Sequence, residues 1–206
     1  MEKIPVFAIE RHRLTTDGQG VTTLVGAYGC PLRCRYCINP HAWNLATLEK
    51  CIYMSPQELY DRVKVDNLYF LATNGGITFG GGEALLHAAF IKEFRKVCGT
   101  QWRLTVETSL NVRQELLMMA LDVVDDFIVD IKDMNAGIYE AYTGKSNVQV
   151  FENLKLLAER LGEKQVRLRV PAIPEFNTKA DVQASVERLE ELGFTDIEVF
   201  GYIVRE

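Results

Sequence analysis

The chain has 206 residues, 48% of them hydrophobic, with 28 acidic against 23 basic side chains and a net charge of −5. That length supports one sizeable core, so a single domain over 1–206 is expected; the dispersed charges form no basic stripe, which argues against nucleic acid as a partner. No apolar run approaches a membrane span, and charges at Glu2, Lys3, Glu10, Arg11 and Arg13 interrupt any secretion-signal core, so a protein of the cytoplasm is expected.

Along the chain, strand-like and helix-like segments alternate. The first strand is expected over Val21–Ala27, rich in β-branched residues, and a cysteine-bearing loop, Gly29 to Pro40, follows it. Ser55, Pro56 and Glu58 then read as an N-cap, a first-turn proline and a capping-box acid ahead of Leu59 and Val63. A second strand is expected over Gly76–Phe79, entering the run Gly80-Gly81-Gly82-Glu83. Leu86, Phe90, Phe94 and Val97 recur at helical spacing, with Gly99 placed to end that helix in a left-handed conformation. Strands over Arg103–Glu107 and Phe127–Ile131 follow, then an apolar stripe of Leu154, Leu157, Ala158 and Leu161 before Gly162. A strand over Gln165–Val170, a helix opened by Thr178 with Asp181 and carrying Val182, Val186 and Leu189 to a stop at Gly193, and a strand over Ile197–Phe200 complete the set. Six parallel strands with covering helices define an α/β chain forming a partial (β/α)6 barrel, in which ligands sit at the carboxyl ends of the strands.

The residues that carry chemistry fall at those ends. Five cysteines are present, and Cys30, Cys34 and Cys37 crowd into eight positions of one loop. A disulfide framework would disperse its cysteines in pairs, whereas close-set thiolates select iron–sulfur clusters or zinc. Three thiolates on a four-iron cubane leave one iron open to a substrate. Zinc is the competing reading, with His41 as fourth ligand, separated from Cys37 by three residues. Cys51 and Cys98 complete no ferredoxin spacing and read as small hydrophobes.

These residues resemble the radical S-adenosylmethionine (SAM) enzymes that activate glycyl radical enzymes. The resemblance runs from about Asp17 to Phe200: Asp17-Gly18-Gln19-Gly20 matches the family's opening, Cys30, Cys34 and Cys37 its C-x3-C-x2-C with Tyr36 before the last cysteine, and Asn74 to Glu83 its glycine-rich segment. Asp130-Ile131-Lys132-Asp133-Met134 matches Asp-x-Lys-x-Met, and Arg169 and Pro174 match an arginine and a proline after the fifth strand. The resemblance implies a radical SAM type barrel, shortened after the sixth strand, with one 4Fe-4S cluster on Cys30, Cys34 and Cys37. It implies SAM held by Tyr36, Cys37, Ile38, Gly81, Gly82, Glu83, Asp130, Ile131, Lys132 and Arg169, the adenine touching the backbone around Tyr36 and Ile38. Glu107, Thr108 and Asp130 stand where the family surrounds a monovalent cation, with Glu107 in place of an expected aspartate. Two alternatives remain open: Asp130 with Lys132 as a rim salt bridge, and Arg169 as a satisfied core arginine. Val21-Thr22 departs from the family's Ile-Arg, the family's histidine after the sixth strand is missing, and no cysteines remain for an additional ferredoxin-like insert.

The implied chemistry is reductive cleavage of SAM at the open iron to methionine and a 5′-deoxyadenosyl radical, fed by a flavodoxin- or ferredoxin-type electron donor. Three functions are consistent with the residues: generation of a glycyl radical on a partner enzyme, radical modification of a small molecule or peptide, and a cluster- or zinc-bearing protein without turnover. With few residues after the sixth strand, the opening around Tyr202 is expected to be closed by a macromolecular substrate or second subunit.

Overall fold

The structure, a computed structural model, describes residues 2–14, 16–160 and 165–202. Among the described residues, eight strands form one sheet: β1 (Ile4–Leu14), β2 (Val21–Ala27), β3 (Ile52–Met54), β4 (Gly76–Gly81), β5 (Arg103–Thr108), β6 (Asp126–Asp130), β7 (Gln165–Ala172) and β8 (Ile197–Gly201). Their order is β3-β1-β2-β4-β5-β6-β7-β8. From β2 to β8 every pairing is parallel, so all six expected strands are present in chain order. The expectation of six strands falls short by two: β1 and β3 join antiparallel at one edge. β1 escapes a period-two reading because register shifts between Val6 and Ala8 and between Glu10 and Arg13 break its alternation; His12, at φ 58°, lies within the second. β3 has only three residues, two of them exposed.

The helices are α1 (Leu45–Leu48), α2 (Pro56–Val63), α3 (Asn67–Thr73), α4 (Ala88–Cys98), α5 (Gln114–Leu121), α6 (Ala136–Thr143), α7 (Val148–Arg160) and α8 (Lys179–Glu191). The capping boxes at Ser55 with Glu58 and at Thr178 with Asp181 are both formed. Leu86 departs from its expected place: it lies in a 3-10 turn before α4 and is exposed. Gly99 has a φ of 71° but a ψ of −159°, so α4 ends without a left-handed helical residue. Leu161 and Gly162 lie outside the described residues. Cys51 and Cys98 are half-buried, Cys98 against the core, where burial pushes its thiol up to about 11.

Strand alternation gives the parallel sheet two unlike faces. Val25, Ile77, Phe79, Leu104, Val106, Val129 and Leu168 share the apolar face and are buried, with Phe94 of α4 edge-on to Phe79 at 5.5 Å between ring centroids. The registers put Thr22, Thr78, Thr105, Glu107, Asp126, Asp130, Arg167 and Arg169 on the opposite, inner face. The Thr16–Gly20 loop packs into that inner face. Thr78 Oγ1 donates to the Asp17 carbonyl, and Arg169 Nη2 donates to that of Thr16. Gly18 sits at φ 120°, and a Cβ there would lie 2.8 Å from Thr105 Oγ1. No helix among the described residues is long and apolar enough to cross a membrane.

Candidate functional site

The cysteine loop leaves the carboxyl end of β2 and is fixed by backbone bonds on both sides. Gly29 N donates to Ala42 O at 2.7 Å, Arg33 N to Thr143 O at 2.9 Å and Arg35 N to Tyr142 O at 3.0 Å, docking the loop on the end of α6. The Arg33 guanidinium closes back on the carbonyls of Cys30 and Leu32 at 2.8 and 2.7 Å and lies over the Trp43 ring at 4.8 Å. All three thiols are half-buried. Burial pushes Cys30 up to about 12, with Glu83, Cys34 and Cys37 adding to the rise. Burial also raises Cys34, against the opposing pull of Lys132, while Cys37 and Asp130 reinforce it. The three thiols therefore lie in one another's electrostatic field, and ionising them together requires a positive centre, which bound iron supplies.

No three His, Cys, Asp or Glu side chains among the described residues stand close enough to hold a single metal ion. No zinc site is preformed at His41, which is exposed. The three ligands of a cubane each bind a different iron and do not have to meet at one point. Burial and the neighbouring Tyr202 hydroxyl push the Tyr142 phenol up, with Cys34 and Cys37 adding to the rise.

Beside the loop runs the end of β4. Gly82 N donates to Ala27 O at 3.1 Å and Glu83 N to Gly29 O at 2.7 Å. A Cβ on Gly82 would stand 2.2 Å from Gly29 O, and one on Gly81 would stand 2.7 Å from Phe7 Cζ. The glycines are thus required first by the chain's own packing. The Glu83 carboxylate is fully engaged: it accepts from Thr108 Oγ1 (2.6 Å), Ser109 Oγ (2.7 Å), Ser109 N (2.9 Å) and Leu85 N (3.2 Å). Burial raises its pKa against these donors. Glu83 thus ties β4 to β5, its carboxylate spent within the chain.

Lys132 and Asp130 form an ion pair of 3.2 Å. Burial works against the ammonium, but Asp130, Cys34 and Tyr202 outweigh it and keep Lys132 charged beside the cysteine loop. Arg169 turns into the inner face, with Nη1 3.3 Å from Glu107 Oε1 and Nε 3.9 Å from Glu198 Oε2. Glu107 is pushed up to about 7 by burial and by Asp130 and Asp17, against Arg169. The Thr108 hydroxyl donates to Glu83 and accepts from Leu110 N.

Aromatic side chains close the outer flank. The Tyr36 hydroxyl donates to Glu175 Oε2 at 2.8 Å, and Phe176 stands edge-on to its ring at 5.8 Å. Tyr202 OH donates to the Tyr36 carbonyl while Tyr202 N donates to Ala172 O at 3.0 Å. Tyr202 is thus itself part of the wall, and Val199 on β8 is exposed. Tyr142 was missed in the sequence because an aromatic in a helix next to Tyr139 reads as core.

The sequence profile of the Radical SAM superfamily matches residues 24–189. The chain therefore belongs to the Radical SAM superfamily, as an oxidoreductase whose chemistry generates a 5′-deoxyadenosyl radical. It is similar to the pyruvate formate-lyase-activating enzyme of Clostridium pasteurianum, at 31% identity over 176 residues covering 85% of this chain and 71% of that one. The isethionate sulfite-lyase activating enzyme of Desulfovibrio desulfuricans is 25% identical over 242 aligned positions, covering 89% and 77%. Among solved structures, Streptococcus suis SuiB superposes with a TM-score of 0.63 at 13% identity, covering 85% of this chain and 38% of that one, a likeness of fold alone.

Proposed function

We propose that this chain is the activating enzyme of a glycyl radical enzyme, working in the cytoplasm with a flavodoxin- or ferredoxin-type donor. The observation that carries the reading is the docked cysteine loop, with three half-buried thiols in one field beside charged Lys132. It is supported by similarity along most of the chain to enzymes named for activating pyruvate formate-lyase and isethionate sulfite-lyase. Cys30, Cys34 and Cys37 would hold a 4Fe-4S cluster, which together with SAM supplies a 5′-deoxyadenosyl radical when bound. Around them the protein binds, orients and excludes water. The backbone of Tyr36, Cys37 and Ile38 would meet the adenine, that of Gly81, Gly82 and Glu83 the methionine end, and Asp130 and Ile131 the ribose. Lys132 would offer a cation to the methionine carboxylate. Arg169 acts one step away, neutralising Glu107 and pinning the Thr16–Gly20 loop. The exposed apolar side chains Ile38 and Leu45, and Leu86 packed near Gly29, would offer a protein loop a surface to dock on.

Anaerobic reconstitution tests the reading. One cubane per chain is expected, abolished by Cys30→Ala, Cys34→Ala or Cys37→Ala and retained in Cys51→Ala and Cys98→Ala. The reduced protein should cleave SAM and leave a glycyl radical, read by electron paramagnetic resonance, on a candidate partner. Cleavage coupled one-to-one to a small molecule, with no signal on any partner, would overturn the activase reading and favour small-molecule modification.

A further inference from the structure

The chain leaves β7 through a turn whose shape calls for a residue it does not carry. Phe176 N donates to Ile173 O at 3.2 Å, closing a tight turn with Pro174 and Glu175 at its centre. With proline in the second position and Glu175 at φ 68° in the third, the turn is of type II, and its third position is ordinarily glycine because a side chain is strained there. Asn177 clamps the turn from behind: its Oδ1 accepts from Ile173 N at 2.6 Å, and its Nδ2 donates to Pro171 O at 3.0 Å and to Asp133 Oδ2 at 3.1 Å. Glycine would make the same turn without strain, so a glutamate there points to work done by its side chain. That side chain reaches the cysteine loop. The Tyr36 hydroxyl, 139 residues away in sequence, donates to Glu175 Oε2 at 2.8 Å, and the carboxylate pushes the phenol's pKa up, so the phenol stays a donor. Phe176, next in the turn, stands edge-on to the Tyr36 ring at 5.8 Å. The turn thus grips Tyr36 at both hydroxyl and ring.

We propose that Glu175 is a positioning residue for adenine capture: acting through the Tyr36 hydroxyl, it holds the backbone of residues 36–38 in the conformation the ligand meets. The inference deepens the proposed function and rests on its placing of adenine at that backbone. Residues 36–39 have few other anchors. Cys37 N donates to Cys34 O and Ala42 N to Asn39 O, both within the loop and the turn that follows it. Among the described residues, this stretch reaches the rest of the chain through two hydrogen bonds, both made by Tyr36: its carbonyl accepts from the Tyr202 hydroxyl, and its own hydroxyl donates to Glu175. Ile38 beyond it is 63% exposed. Without Glu175 the segment would hang on one contact, and a ligand would have to order it on binding; an anchor formed beforehand removes that cost. The strain at Glu175 is carried by the free and the bound chain alike, so it opposes folding and not capture.

Affinity and stability should therefore part company. On anaerobically reconstituted protein, calorimetric titration with S-adenosylhomocysteine should show Glu175→Gly weakened by roughly two- to fivefold, the lower range for one hydrogen bond because this one is exposed. Tyr36→Phe should be weakened to the same extent, and the double variant no further, since each change deletes the same bond. Glu175→Gln keeps an acceptor at the same reach and should bind as the parent does. Glu175→Gly should melt no lower than the parent, because glycine takes the turn's conformation without strain. A lower melting temperature in Glu175→Gly, whatever its affinity, would assign the side chain to the fold and overturn the proposal. So would parental affinity in Glu175→Gly, losses that add in the double variant, or a Glu175→Gln that binds as weakly as Glu175→Gly. Parent protein that loads its cluster yet fails to bind S-adenosylhomocysteine would overturn the site reading beneath it as well.

Discussion

Asp66 and Glu107 are both carboxylates drawn into the fold beside an arginine, yet their surroundings push them in opposite directions. Asp66 is fully buried next to β2 and is saturated: Arg11 Nε donates at 3.0 and 2.8 Å to its two oxygens, Thr23 Oγ1 donates at 3.0 Å, and His12 Nε2 lies 3.1 Å away. Its pKa is lowered, chiefly by Arg11. Glu107 sits on the inner face with a single contact of 3.3 Å to Arg169 and with Asp130 and Asp17 as like-charged neighbours, and it rises to about 7. An arginine alone does not decide the state of a buried carboxylate; the number of donors and the company of other carboxylates do. The saturated group belongs to the wall of the fold, the undersupplied one to the interior of the site.

Removing the saturated group should have the largest effect. Asp66→Ala should destabilise the cluster-free protein by about 2 to 3 kcal/mol, the scale of hydrogen bonds to a charged group, because Arg11 and His12 are half-exposed and return to water while Thr23 is left without its acceptor. The sign of the pH dependence follows from the lowered pKa. The Asp66 contribution is present above the unfolded value of 3.8 and lost as pH falls through the lower folded value. Urea titrations at pH 7 and pH 3 should therefore show parent and variant converging in acid. A gap that stays constant would place the stability of this region elsewhere.

Glu107 should behave inversely. Its folded pKa lies above the unfolded 4.5, so the native state holds the proton longer, and stability is highest below about 4.5 and falls as pH rises through about 7. Glu107→Gln should remove about 1 to 3 kcal/mol of that decline. The variant should then lose less stability than the parent between pH 5 and pH 8, as read by melting temperature in the cluster-free protein. A parent whose stability rises across that window would show Arg169 winning over burial and erase the contrast with Asp66.

The contrast also marks what could be read in advance. The six parallel strands were legible because they are rich in β-branched and aromatic residues and alternate with helices, and α2 and α8 because their capping boxes are local in sequence. β1 was not, since two register shifts scramble its period, and neither was the partner of Asp66, which comes from that strand. Cys30, Cys34, Cys37, Asp130 and Lys132 announced themselves by spacing at strand ends. Tyr142 and Tyr202 did not, because the aromatic wall they form is a property of packing between α6 and a segment 60 residues away. The glycines after β4 were legible as a motif, but for an incomplete reason: Phe7 and Gly29, which crowd them, are brought there by the fold.

The smallest effect is the most pointed, because it moves Asp66 one step toward the condition of Glu107 without removing any charge. Thr23 is buried on β2, and valine conserves its shape while deleting the hydroxyl that donates to Asp66 Oδ2. Arg11 remains, so the carboxylate should stay ionised at neutral pH, now with one donor fewer in a dry site. Thr23→Val should cost about 1 kcal/mol, the net value of a single hydrogen bond. The Asp66 carboxyl resonance should titrate at a higher pH than in the parent, because the lost donor favoured only the charged form. If donor count sets the difference between the two carboxylates, the destabilisation and the upward titration shift must appear together. A variant that loses stability with no change in the Asp66 titration would mean that Thr23 serves packing alone, and that Arg11 suffices to hold the charge.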